Sequence, residues 1–82
     1  MLFTLKITTN ENELNIPYTS IEECMDDIGL RVLFDEGHVN HCSIWTNQQR
    51  ITAREITKWD TLLSQLTSNS STILRNRKSQ NG

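Results

Sequence analysis

Four residues in this chain carry side chains that bind soft metals or make nucleophiles: Cys24, His38, His41 and Cys42. Zinc takes thiolate and imidazole ligands, and a Cys–His pair is the heart of a thiol nucleophile. The spacing opposes both. His41 and Cys42 are neighbours in a stretch that reads as a strand, where successive side chains point to opposite faces and do not share an ion. Cys24 falls on the apolar stripe of a helix, where a free thiol behaves as a small hydrophobe. No C-x2-C or H-x3-H pair accompanies them. A Cys42 nucleophile would further need an orienting group and an oxyanion pocket, and a thin three-stranded domain has little concave volume for either. The expectation is therefore no metal, no cofactor and no enzyme. A small thiol-dependent enzyme using Cys42 ranks last among the alternatives.

The acid pairs Glu22-Glu23 and Asp26-Asp27 suggest acid–base work, but Glu23 has a capping role and acids in a first helical turn favour the helix dipole. They are read as structure.

Trp45 is the most informative residue. If Cys42 and Ile44 face the helices, Trp45 faces outward with Leu2, Lys6 and His41. An indole on an uncovered sheet face beside a cation has the character of an interface anchor. It could also stack a nucleobase, or be covered locally by the tail. Trp59, on the apolar stripe of its helix, reads as core. The run Arg75-Asn76-Arg77-Lys78 supplies too few cations for more than weak, salt-sensitive phosphate contact.

The elements that must position these residues follow from periodicity. Met1, Phe3, Leu5 and Ile7 alternate with Leu2, Thr4, Lys6 and Thr8, and the alternation resumes at Leu14, Ile16 and Tyr18 after a polar break. This predicts a β-hairpin over residues 2–18, with Pro17 keeping its second strand at an edge. Ser20-Ile21-Glu22-Glu23 is a capping box. It opens a helix whose apolar face is Ile21, Cys24, Met25, Ile28 and Val32, stopped by Gly37. Gly29 sits awkwardly inside it, and Leu30, Leu33 and Phe34 fall off the stripe. A competing parse ends the helix near Gly29 and makes residues 30–34 a strand; the continuous helix is preferred. Residues 41–47 form the third strand. Thr52-Ala53-Arg54-Glu55 is a second capping box, with Ile51 and Ile56 as a hydrophobic staple. The helix it opens carries Ile56, Trp59, Leu62, Leu63 and Leu66 and ends near Thr67.

The result is an α+β domain, β-β-α-β-α, over residues 1–67. Its three-stranded antiparallel sheet has order 2-1-3, two helices on one face and the other face open. Residues 68–82 are expected to form a flexible polar and basic tail.

Composition bounds the function. The chain has 82 residues and a net charge of −2, which gives no global pull toward nucleic acid or an anionic membrane. The charge is uneven. Residues 1–41 hold eight acids against Lys6 and Arg31, a balance of −6, while residues 42–82 hold Glu55 and Asp60 against six cations, a balance of +4. Such a dipolar molecule can steer a charged partner or associate head-to-tail. Two cysteines make no disulfide framework, and neither a signal peptide nor a membrane span is apparent, so the expected location is cytoplasmic. The first functional expectation is a non-catalytic interaction module, such as an adaptor, regulatory subunit or inhibitor. It would bind a protein partner or a second copy through Trp45, Lys6, Leu2 and His41. Weak nucleic-acid binding through the same face and the basic tail ranks second.

Overall fold

Phe3, Leu5 and Ile7 are almost completely buried while Lys6 between them is exposed, so the alternation seen in sequence becomes strand β1, Phe3–Thr9. The structure, a computed structural model, describes the backbone of residues 2–81 and the side chains of residues 2–75. Met1, which the sequence assigns to the first strand, lies outside the described residues.

Strand β2, Glu13–Tyr18, returns antiparallel with Leu5 opposite Ile16 and Ile7 opposite Leu14. The Oγ1 of Thr9 gathers the connecting turn by accepting from the backbone N–H groups of Asn12 and Glu11. Strand β3, Val39–Thr46, lies on the other side of β1, with Leu5 opposite Ile44, Ile7 opposite Cys42 and Lys6 opposite Ser43. The expected antiparallel order is thus present, extended by a fourth strand, β4, Gln49–Arg50, at the end of β3. From the pattern of residues alone, 48–50 read as a break. They instead close a two-residue hairpin in which Asn47 and Gln48 both have positive φ, 48° and 64°. That is the primed turn that matches strand twist, and it normally carries glycine at its second position. Replacing Gln48 with glycine should therefore raise the unfolding free energy by about 0.5–1 kcal/mol, because the left-handed backbone penalises any Cβ. A urea midpoint unchanged or lowered by Gln48→Gly would contradict this turn geometry.

The first helical region is two helices, not one. Ser20 caps α1, Ile21–Met25, by accepting from the Glu23 N–H at 3.0 Å, as the capping box predicts. The Glu23 carboxylate reaches back to the Thr19 N–H and hydroxyl. The chain then breaks, and Asp27 caps a second helix, α2, Ile28–Asp35, by accepting from the Leu30 N–H at 3.1 Å. Gly29 lies in the first turn of α2, where its low helix propensity matters less than in an interior. The break changes the helical phase. Leu30 and Phe34 become buried, and Met25, Ile28 and Val32, expected in the core, are 47%, 77% and 44% exposed. The competing strand at residues 30–34 is also absent. The α2 helix ends in a Schellman motif, with Gly37 at φ +74°, its N–H on the Phe34 carbonyl and the His38 N–H on the Leu33 carbonyl.

The second helix also departs from expectation. Thr52 does not cap it; α3 is Trp59–Ser68. Thr52 is buried, its Oγ1 accepting from the Ile44 N–H, while the Ile51 and Ile56 N–H groups donate to the Ile44 and Cys42 carbonyls. Residues 51–56 therefore satisfy the outer edge of β3. Those polar groups would be orphaned in a buried setting if the segment coiled into a helix. Ile56 still reaches the core, by a non-helical path.

Beyond the Asn69 cap, the expected flexible tail is instead helix α4, Ser70–Asn81. Ile73 is fully buried and extends the α3 stripe of Trp59, Leu62 and Leu66 by seven residues. The side chains of Arg77 and Lys78 lie outside the described residues.

One apolar cluster joins the inner sheet face to these helices: Phe3, Leu5, Ile7, Tyr18, Cys42 and Ile44 from the strands, and Cys24, Leu30, Phe34, Trp59, Leu62, Leu66 and Ile73 from the helices. The rings of Phe34 and Trp59 tie α2 to α3 at 5.8 Å between centroids.

Candidate docking surface on the outer sheet face

Because Cys42 and Ile44 face the core, their neighbours Ser43 and Trp45 must face the other way. Register places Trp45 opposite Thr4, Ser43 opposite Lys6 and His41 opposite Thr8, all on the outer face. The Glu13, Asn15 and Pro17 side chains continue that face across β2 and are exposed.

The structure brings Lys6 and Trp45 together: the Lys6 Nζ stands 3.7 Å from the centroid of the indole. An ammonium over the face of a Trp ring is attracted by the ring quadrupole. The indole Nε1–H donates to the Ser43 Oγ at 2.8 Å. Trp45 is half-buried, its only strong donor is satisfied, and Ser43 beneath it is nearly covered. Ser43 was not singled out from sequence, although its i, i+2 spacing from Trp45 on a strand is the available signal.

His41 shares the face but not the cluster. It lies four residues along β3, next to a register shift at Thr8/Thr9, with its Nδ1 3.7 Å from the Glu55 Oε2. Glu55 also takes the Arg50 guanidinium at 3.2 Å, and the Arg50 Nε donates to the Thr52 carbonyl at 2.7 Å. Glu55, expected to close a capping box, instead stands between the Arg50 guanidinium and the His41 imidazole beside the sheet. Leu2 is absent from this surface: it is 3% exposed and packs in the core cluster, its N–H held by the Tyr18 carbonyl.

The remaining chemistry-bearing residues are dispersed. His38 is exposed beside Glu36, with Nε2 to Oε1 at 3.3 Å, and lines a shallow open groove with Thr9, Asn10, Glu11, Asn12, Leu14 and Leu33. Among the described residues, no three or more His, Cys, Asp or Glu side chains are grouped to hold a metal ion. Both thiols are fully buried and unpaired with each other. Desolvation pushes each from an ordinary value of 9.0 up to about 12; the carboxylates of Asp27 and Glu23 add to the effect at Cys24, and Cys24 and Glu55 add to it at Cys42. The Tyr18 phenol is raised as well, first by burial and then by its hydrogen bond to Asp27.

These shifts set an alkaline limit on stability. In the unfolded chain the thiols ionise near pH 8.5–9, whereas the folded chain keeps their protons to about pH 12, and the phenol is shifted upward in the same sense. Between these values the folded state binds more protons, so stability falls as pH rises, by up to about 1.4 kcal/mol per pH unit for each group. Below pH 8 the contribution is complete. Urea midpoints at pH 7.5, 9 and 10.5 should decline in that order, and a flat series would show that the thiols are not buried as described.

No helix among the described residues is long and apolar enough to cross a membrane. The architecture is that of a small α+β protein with a four-stranded antiparallel sheet, helices on its inner face and a Trp–Lys pair on its outer one. Comparison with protein-family models, with curated proteins and with solved structures gives no match to this chain.

Proposed function

We propose that this chain is a small, non-catalytic protein-interaction module of the cytoplasm, acting as an adaptor, regulatory subunit or inhibitor, whose outer sheet face docks a protein partner. The observation that carries this reading is the Trp45 indole, oriented on that face by Ser43 and Lys6 before any partner arrives. A large aromatic already fixed in place loses little side-chain entropy on binding, which is a property of interface anchors. The burial and protonation of Cys24 and Cys42 weigh against a thiol nucleophile, since the thiolate is the reactive form.

The test is affinity capture from native cells with the wild-type chain and with Trp45→Ala, after circular dichroism has shown that the variant folds. A discrete set of proteins should be retained by the wild type and lost with the variant. Recovery of the same proteins by both would remove Trp45 from the interface.

One observation favours a second reading, weak binding of single-stranded nucleic acid: Arg50 lies directly opposite Trp45, so two cations border the indole. Arg50 is engaged by Glu55 and Thr52, which lessens its use for phosphate. In a Trp59→Phe background, the Trp45 emission reports on this alone. Quenching by single-stranded RNA at low salt that disappears at high salt would support it, and no quenching at low salt would exclude it.

A further inference from the structure

Helix α4 exposes most of its described side chains. It has 12 residues, a length at which an isolated helix in water is marginal. Among its described side chains only Ile73 is buried; Leu74 is 49% exposed and Arg75 is exposed. The helix is also one-sided in charge. Residues 70–82 contain Arg75, Arg77 and Lys78 and no acid.

Helices α1 and α2 present the complement. Met25, Ile28 and Val32, with Leu74, are the exposed large hydrophobics among the described residues. Ile28 and Val32 are one turn apart on α2 and form an exposed apolar stripe there, and Met25, also exposed, closes α1 three residues before Ile28. Glu22 stands one turn before Met25, and Asp35 and Glu36 lie one turn beyond Val32. The nearby cation, Arg31, is already paired with Asp35 at 3.4 Å. Residues 21–36 hold six acids against this one cation.

We propose that two copies of the chain associate, with α4 of one copy lying along the α1–α2 stripe of the other. Leu74 packs on Met25, Ile28 and Val32, and Arg75 faces the acids that bound the stripe. In a twofold pair the same contact forms twice, so each copy gives its basic helix and receives its partner's. Such an interface is small and partly electrostatic; it forms at high concentration and weakens with salt. It uses a different surface from Trp45 and does not depend on the outer-face reading.

Sedimentation of the full chain over a concentration series, at low and high salt, tests this directly. Self-association is expected, reduced at high salt, with its dissociation constant raised at least about tenfold by Ile28→Ser and by Arg75→Glu. Both positions are exposed, and circular dichroism will show that the variants fold. Trp45→Ala should leave the association unchanged. A charge exchange is the sharpest arm: Arg75→Glu alone and the double variant Glu22→Lys/Glu36→Lys alone should each associate poorly, and an equimolar mixture should regain wild-type association. A chain that stays monomeric at every concentration overturns the proposal. So does association that ignores Ile28→Ser and Arg75→Glu, association abolished by Trp45→Ala, or a mixture no tighter than its components.

Discussion

Truncating Ile73 to alanine should lower the unfolding free energy by about 2–4 kcal/mol, the cost of deleting buried methyl groups and leaving a cavity. Ile73 is fully buried beyond the α3 stripe of Trp59, Leu62 and Leu66. The neighbouring Leu74, half-exposed, supplies the control: Leu74→Ala should change stability by less than about 0.5 kcal/mol. The two substitutions remove comparable side chains from adjacent positions, so any difference reports packing and not helix propensity. Equilibrium urea unfolding measures both. If Ile73→Ala were as mild as Leu74→Ala, α4 would not be packed on the domain.

The second large effect lies at Asp27. One carboxylate oxygen accepts from the Leu30 N–H and caps α2; the other accepts from the Tyr18 hydroxyl at 2.8 Å. Asp27→Ala removes a cap worth about 1 kcal/mol and leaves a buried phenol donor unpaired at a further 1–3 kcal/mol. A total loss of about 2–3 kcal/mol is expected. The two parts separate in a double-mutant cycle, since Tyr18→Phe eliminates the orphaned hydroxyl. Asp27→Ala should cost only about the cap in the Tyr18→Phe background. Strict additivity of the two substitutions would mean that the Tyr18–Asp27 hydrogen bond contributes nothing to stability.

That same hydrogen bond explains why the first helical region was only partly legible. Two sets of apolar residues share the segment, Met25, Ile28 and Val32 in one phase and Leu30, Leu33 and Phe34 in the other. Periodicity alone does not say which set is buried. The choice is made by a strand residue nine positions away, which holds Asp27 where a cap for α2 must stand. Thr52 shows the same limit in another form. Its capping box is a local signal, but the open edge of β3 competes for the same backbone groups and wins. The β4 hairpin was hidden because its left-handed turn uses Asn47 and Gln48 and lacks the usual glycine. For α4 the signal was present and weak: Ile73 follows Leu66 by seven residues in a segment otherwise polar.

The sheet was readable because its order follows from alternation and crossover handedness. The same alternation fixes the side on which Trp45 stands: with Cys42 and Ile44 inward, the indole is outward. The cation beside it was also legible, since Lys6 belongs to the outward set of β1. Leu2 shares that parity yet is buried, because it precedes β1 and packs into the core cluster. The Ser43 and Glu55 contacts depend on register and on the path of residues 51–56, and neither is visible in a linear pattern.

The treatment of the two sheet margins has a consequence for colloidal behaviour. At one margin, residues 51–56 occupy the carbonyls of Cys42 and Ile44 and the amide of Ile44. At the other, β2 carries Pro17, which lacks an amide hydrogen. Both rims are therefore poor templates for strand addition, the usual first step toward fibrils. Concentrated solutions of the folded chain should resist cross-β aggregation until these rims are uncovered by unfolding.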